Sequence, residues 1–152
     1  MWLGALGILP FLGLSVVAWV APENLALAAV EAVVAYGAVI VSFIGGALWG
    51  FASHHLTGKQ ATMAGAVLAV SVLPSLVGWL ALLLPTAWSV ALLSVAFAAV
   101  LGLDHWVMSI ALAPRWWMRL RLPLSATVAT LLLLTFFAVV VRLGGRVSGL
   151  SS

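Results

Sequence analysis

The sequence predicts an all-α fold: a polytopic integral membrane helical bundle of about five transmembrane helices, with a short interfacial amphipathic segment before the last. Of its 152 residues, 66% are hydrophobic and 6% are charged. A soluble domain carries about 25% charged residues, because water must hydrate its outer surface. The mean hydropathy is +1.32, and the apolar residues form long runs separated by proline or polar breaks. We therefore expect the lipid bilayer to solvate most of the outer surface.

The breaks divide a single transmembrane domain, residues 1–152, into five predicted helices. Each has close to the ~20 residues that cross ~30 Å of hydrocarbon. Their approximate ranges are 2–21, 25–52, 61–84, 86–103 and 123–141. Pro22 and Pro85 follow the first and third helices, and proline is unfavourable in a helix interior. The first run lacks a basic start and is too long for a secretion signal, which indicates a membrane helix.

The segment 105–121 is too short and too polar to cross the bilayer. Its second half mixes arginine with tryptophan, a combination typical of helices that lie along a membrane surface. We expect Arg115, Arg119 and Arg121 to contact anionic lipid headgroups from the cytoplasmic side.

The basic residues predict the orientation. Lys59, Arg115, Arg119 and Arg121 fall on the side of the N-terminus, and Arg142 and Arg146 fall on the other side. The positive-inside rule then predicts a cytoplasmic N-terminus and an external C-terminus. These basic residues are spread along the chain and form no basic stripe, so no nucleic-acid partner is expected.

The second predicted helix carries a stripe of small residues. Positions alternately three and four apart are Ala28, Glu31, Ala35, Ala38, Ser42, Gly45, Trp49 and Ala52. Helices in lipid associate through close backbone approach, which small residues permit. We expect this helix at the centre of the bundle, with helix packing at Ala38, Ser42, Gly45 and Gly46.

Glu31 is the carboxylate that lies inside an apolar run. An intramembrane acid is a candidate proton or cation site. The alternative is a structural role, in which Glu31 fixes helix register through backbone, water or a basic partner, and Arg142 is the candidate partner.

A second polar cluster is predicted at the cytoplasmic interface, formed by His54, His55, Asp104 and His105. Adjacent histidines on a helix point about 100° apart, so only one of the first pair could face His105. We therefore expect no metal and no cofactor here, and we expect Asp104 to pair with an arginine of the following segment. The sequence also lacks cysteine and the glycine-rich phosphate, nucleophile-elbow and zinc-protease motifs, so no enzyme activity is expected.

Several motifs resemble one uncharacterised family of small bacterial inner-membrane proteins, which carry a domain of unknown function and are related to a mitochondrial transmembrane protein of animals. The motifs are Leu6-Gly7-Ile8-Leu9-Pro10-Phe11, the run 36–46, Trp49-Gly50, the run 71–76 and the run 120–124. Members often carry histidine before that tryptophan, where this chain has Leu48. The resemblance implies a membrane fold and location in an energy-transducing membrane, here the cell inner membrane, and it implies no activity.

Three functions remain open at this point. The first is an accessory, scaffold or assembly subunit of a larger respiratory or photosynthetic membrane complex, with other membrane proteins as partners. The second is a binder of a small hydrophobic ligand such as a quinone or lipid, or an ion transporter that uses Glu31. The third, a membrane enzyme, would have to use Asp104 and His105 as its acid–base pair.

Overall fold

The structure, a computed structural model, describes residues 6–143, with side chains through residue 142. The described chain is helical and contains no strand. The helices are α1 (Ile8–Val20), α2 (Glu23–Ser53), α3 (Ala61–Val70), α4 (Leu73–Ala81), α5 (Thr86–Ser109) and α6 (Arg115–Ala138), and a π-helical turn (Val139–Leu143) follows α6. The predicted start of the first helix at Trp2 and the basic residue Arg146 lie outside the described residues.

Within residues 6–143, four segments are long and apolar enough to cross a membrane: Glu23–Ser53, Ala61–Ala81, Thr86–Ser109 and Arg115–Arg142. The shorter apolar helix Ile8–Val20 precedes them. The prediction of an all-α membrane bundle is thereby confirmed, and the protein spans a membrane.

The third span is built from two helices, α3 and α4. Pro74 has no backbone N–H, so the carbonyl of Val70 loses its helical donor. The chain turns at this point, and the Ser71 hydroxyl donates to the carbonyl of Leu68 at 2.8 Å. The acceptor of this bond is thus the carbonyl of Leu68, and not the carbonyl of Val70 that Pro74 leaves without its helical donor.

Helix α2 occupies the centre of the bundle, because it contacts α1, α3, α4 and α5. Its closest approach is to the third span. A Cβ added at Gly45 would stand 2.5 Å from the carbonyl oxygen of Ser71, and one added at Gly78 would stand 2.9 Å from the carbonyl oxygen of Ala38 and 3.2 Å from the Ser42 hydroxyl. Three of the four predicted packing residues therefore do pack against α4.

Gly46, the fourth, lies on an exposed side of α2, with nothing within 4 Å of an added Cβ. The reason is geometric: the next residue of a helix points about 100° away from its neighbour. The first part of the predicted stripe is not packed, because Ala28 and Ala35 are exposed. The bulky residues Val33 and Leu48, which lie off the stripe, are fully buried, since neighbours surround α2 on more than one side.

The region 105–121 differs most from the predicted segment. Residues 105–109 complete α5, a tight turn follows, and residues 115–121 form the first two turns of α6, which runs on through Pro123. Ala111 in the turn has a positive φ of 59°. Leu112, Ala113 and Trp117 are buried in an apolar cluster with α2 and α3 residues. These three side chains therefore pack inside the bundle, and residues 115–121 belong to the long helix α6 instead of a separate short one.

The first and last helices lie side by side and run in the same direction. Ser15 and Thr135 share a buried hydrogen bond of 2.9 Å, and the Trp19 indole donates to the carbonyl of Leu134 at 3.1 Å. Polar contacts of this kind link helices in lipid, where apolar burial contributes little.

Candidate functional site

A buried carboxylate lies near the cytoplasmic-side end of α5, as that side is predicted from the basic residues. Asp104 is fully buried. Its Oδ1 accepts a hydrogen bond from the Trp117 indole at 2.7 Å, and its Oδ2 accepts one from Nε of Arg121 at 2.8 Å. Both donors come from one face of α6, because residues four apart in a helix lie one above the other. The predicted pairing of Asp104 with an arginine of the following segment is confirmed.

Aromatic contacts hold this ion pair in place. The Phe51 ring meets the Trp117 ring edge to face at 5.0 Å between centroids. The guanidinium carbon of Arg121 lies 5.9 Å from the centroid of the same Trp117 ring, within reach of a cation–π attraction. Packing and hydrogen bonding therefore hold Arg121 in one position.

Two buried polar groups of the site have no hydrogen-bond partner in the described chain. Arg121 uses Nε toward Asp104, and its Nη2 has no hydrogen-bond partner among residues 6–143. The hydroxyl of Ser125, one helical turn further along α6, also has no partner in the described chain. Arg121 is 6% exposed and Ser125 is 3% exposed. A buried polar group left without a partner costs about 1–3 kcal/mol, and more when it is charged.

Both residues line a cavity of about 210 Å³ between α1, α2, α5 and α6. The remaining lining is apolar and includes four aromatic rings. The lining residues are Gly7, Ile8, Phe11, Ile40, Phe43, Ile44, Phe97, Trp117, Leu120, Arg121, Leu124, Ser125 and Val128. Phe43 is 70% exposed, so one residue of the lining also lies on the outer surface of the bundle. An apolar pocket with a few convergent polar groups is typical of a small-molecule site.

The three predicted headgroup arginines separate in the structure. Arg115 and Arg119 are exposed on the outer face of α6, whereas Arg121 is buried and paired with Asp104. The surface assignment of Arg121 is thereby corrected. Arg121 is buried because of helical geometry. It lies on the same face of α6 as Trp117 and Ser125, and that face is turned toward α5.

The predicted histidine and aspartate cluster does not assemble. Asp104 points into the bundle, while His54 and His105 are exposed and Nδ1 of His55 lies 3.0 Å from the carbonyl oxygen of Phe51. Within residues 6–143, no group of three or more histidine, cysteine, aspartate or glutamate residues could hold a metal ion.

Arg142 does not serve as a partner of Glu31. Its guanidinium donates to the carbonyl oxygens of Ala18 at 2.8 Å, of Trp19, and of Ala21 at 3.1 Å. These carbonyls end α1, where a cation is favoured by the helix dipole. Arg142 thus ties the end of the last helix to the end of the first.

Glu31, in the third turn of α2, lies beside the connection between α4 and α5. It is exposed and borders a cavity of about 270 Å³ with Leu84, Thr86 and Ser89, at the connection between α4 and α5. Helix α2 has 31 residues, which at ~1.5 Å per residue exceeds the ~30 Å hydrocarbon thickness. Glu31 is the ninth residue of this helix, about 12 Å along its axis from Glu23, and its role as an intramembrane acid stays a prediction.

Sequence reasoning did not single out Ser125 or the role of Trp117. The available signal was the spacing of Trp117, Arg121 and Ser125, which lie four residues apart on one helical face. Pro123 was interpreted as the start of a new helix and hid this continuity.

A family model described as Protein of unknown function (DUF3429) matches residues 1–137. No curated protein matches the chain significantly. No solved structure matches it significantly. The sequence resemblance to a family of unknown function is confirmed in this form, and the protein belongs to the DUF3429 family.

Proposed function

We propose that the protein binds a small amphiphilic molecule in the cavity between α1, α2, α5 and α6. The observation that carries the proposal is the pair of unpartnered groups, Nη2 of Arg121 and the hydroxyl of Ser125, at the polar part of an otherwise apolar cavity. A ligand atom that accepts hydrogen bonds there would offset the cost of leaving both donors unpaired. An apolar remainder of the ligand would pack against the lining side chains.

Access from the bilayer supports the proposal. Phe43 belongs both to the cavity lining and to the exposed outer surface. A ligand dissolved in lipid could therefore enter between α2 and α6 without crossing water.

The test is ligand recovery from the full-length protein, purified in mild detergent from its native membrane. Mass spectrometry of the organic extract should show an amphiphile at about one molecule per chain. The variant Ser125→Leu, which fills the cavity, should lose that molecule. Ser94→Ala is the matched control, because the Ser94 hydroxyl bonds only within its own helix, to the carbonyl of Val90. Extracts of the wild type without a stoichiometric amphiphile, combined with no thermal stabilisation by added lipids or quinones, would contradict the proposal.

We also propose the predicted topology, with the N-terminus in the cytoplasm and residence in the cell inner membrane. The basic residues Lys59, Arg115 and Arg119 support this orientation through the positive-inside rule, even though Arg121 is neutralised inside the bundle. A phosphatase reporter, active only outside the cytoplasm, should be active when it is fused after Ser152. Activity of a cytoplasm-specific reporter at that position would reverse the orientation.

The subunit function suggested by the sequence stays a prediction. If the protein is such a subunit, it should co-migrate with a larger complex in native gels of mildly solubilised membranes. Migration of the protein as a discrete small species would count against this function. Ligand binding and subunit assembly are compatible, and the two experiments test them separately.

A further inference from the structure

We infer that the ligand is an uncharged, planar ring that carries carbonyl oxygens and an apolar tail, which is the chemical class of the quinones. This inference rests on the proposed function and specifies the ligand of the same cavity. Three features of the site lead to it: its net charge, the arrangement of its donors and the chemistry of its walls.

The charge balance favours a neutral ligand. The positive charge of Arg121 is already matched by Asp104, whose carboxylate oxygen lies 2.8 Å from Nε. The pair is buried, so solvent screens it weakly. A carboxylate or phosphate ligand would add an unmatched negative charge beside the carboxylate of Asp104. A neutral carbonyl accepts the same hydrogen bonds without that cost.

The donors suit a carbonyl oxygen. Arg121 and Ser125 are one turn apart on α6, a spacing that places their Cβ atoms about 5–6 Å apart. Nη2 offers N–H groups and the serine hydroxyl offers one O–H. A carbonyl oxygen has two lone pairs, and both donors can therefore converge on the same oxygen.

The walls favour a flat conjugated ring. Phe11, Phe43, Phe97 and Trp117 all line the cavity, and the Phe11 and Phe97 rings already meet edge to face at 6.1 Å between centroids. Aromatic side chains gain from such offset and edge contacts with another ring. The cavity of about 210 Å³ is smaller than the ~300–1,000 Å³ of pockets that enclose whole drug-sized ligands. It therefore suits one ring, and the tail extends past Phe43 into lipid.

The experiment compares three probes that share a ten-carbon chain: a decyl-substituted benzoquinone, decanoate and decylbenzene. Binding is measured at pH 8 to the full chain in lipid nanodiscs. The quinone should bind the wild type at least about 10-fold more tightly than either competitor, as expected for one to two added hydrogen bonds. Ser125→Ala should weaken quinone binding by about 3- to 10-fold and leave decylbenzene unchanged, and Ser94→Ala should change neither.

The variant Asp104→Asn tests the charge balance directly. The asparagine oxygen can still accept one of the two hydrogen bonds, while the charge of Arg121 is no longer matched. The ratio of decanoate to quinone affinity should therefore rise by about 10-fold or more. A residue with a purely structural role would lower both affinities together.

The outcomes separate the two proposals. Tighter binding of decanoate than of the quinone in the wild type, or equal binding of the quinone and decylbenzene, overturns the inference on ligand class. Binding of none of the three probes, together with an empty native extract, overturns the proposed function itself. If Asp104→Asn does not fold, the comparison of Ser125→Ala with Ser94→Ala still decides whether the carbonyl is recognised.

Discussion

The carbonyl oxygen of Ser71 lies directly against Gly45, so that a Cβ on this glycine would stand 2.5 Å from it. The contact joins the centre of α2 to the break between α3 and α4. Both partners are backbone, and neither can move away as a flexible side chain could.

Gly45→Ala should therefore destabilise the bundle by about 1–3 kcal/mol, the usual cost of overpacking. The neighbouring variant Gly46→Ala is the control, because nothing lies within 4 Å of its added Cβ. Thermal unfolding in one detergent, followed by circular dichroism, measures both. Equal melting temperatures for the two variants would refute the close approach of α2 and α4.

The ion pair makes a second prediction. Asp104→Ala leaves the charge of Arg121 and the indole N–H of Trp117 without their acceptor, and breaking a buried pair in this way costs about 3–5 kcal/mol. We expect little folded protein in detergent extracts. Removing both charges with Asp104→Ala and Arg121→Met should restore part of the yield, since no buried charge then remains. A double variant as unstable as Asp104→Ala would show that the pair is not coupled.

Arg142 makes a third prediction, at the opposite end of the bundle. Arg142→Gln removes the charged donor from the carbonyls that end α1. The loss should be about 1–2 kcal/mol, the range for a favourably placed cation at a helix C-terminus. Arg119→Gln, at an exposed position of α6, is the charge-matched control and should stay near wild type. The measurement is unfolding in detergent with added denaturant. If Arg119→Gln lowered the free energy of unfolding more than Arg142→Gln, the stabilising role of Arg142 at the end of α1 would be contradicted.

The turn between α5 and α6 makes a fourth prediction, with the opposite sign. Ala111 adopts a φ of 59°, a left-handed conformation that costs an alanine roughly 1–2 kcal/mol. Glycine adopts this conformation freely, so Ala111→Gly should raise the melting temperature. Glycine also increases the entropy of the unfolded chain, which offsets part of the effect, and we expect a net gain of up to about 1 kcal/mol in the free energy of unfolding. Ala113→Gly, in the same turn and without a positive φ, should not stabilise. A destabilised Ala111→Gly would argue against the turn geometry.

Much of the fold could be predicted from the sequence, because the hydrocarbon thickness sets the length of each apolar run. The second helix was predicted over 25–52 and is observed as Glu23–Ser53. Pro22 and Pro85 immediately precede helices as N-caps, at the breaks where they were expected to interrupt the chain.

The errors come from polar residues whose partners lie elsewhere in the chain. The fourth helix was ended at residue 103, because Asp104 and His105 indicate a polar boundary. Asp104 is in fact buried, since Arg121 and Trp117 return from the next helix to satisfy it. A hydropathy scale assigns a value to each residue separately, so it cannot show that Asp104 and Arg121 form a buried pair.

The candidate site was hidden for the same reason. A serine inside an apolar helix usually bonds to the carbonyl of the preceding turn, as Ser94 does here. Only the three-dimensional arrangement shows that the hydroxyl of Ser125 faces a cavity and lacks such a bond. The packing of Gly45 could be predicted from small-residue spacing, whereas the exposure of Gly46 required the neighbours of α2 to be known.

The order of the ion pair along the chain bears on how the protein is made. Ribosomes produce Asp104 before Arg121, and the two are separated by the turn that starts the last helix. A nascent chain that ends at the α5–α6 turn therefore holds a carboxylate with no counter-charge at the membrane boundary. Insertion of the final helix neutralises it and at the same moment closes the wall of the cavity. A chain truncated before α6 would therefore leave Asp104 without its ion-pair partner and the cavity without the wall that α6 provides.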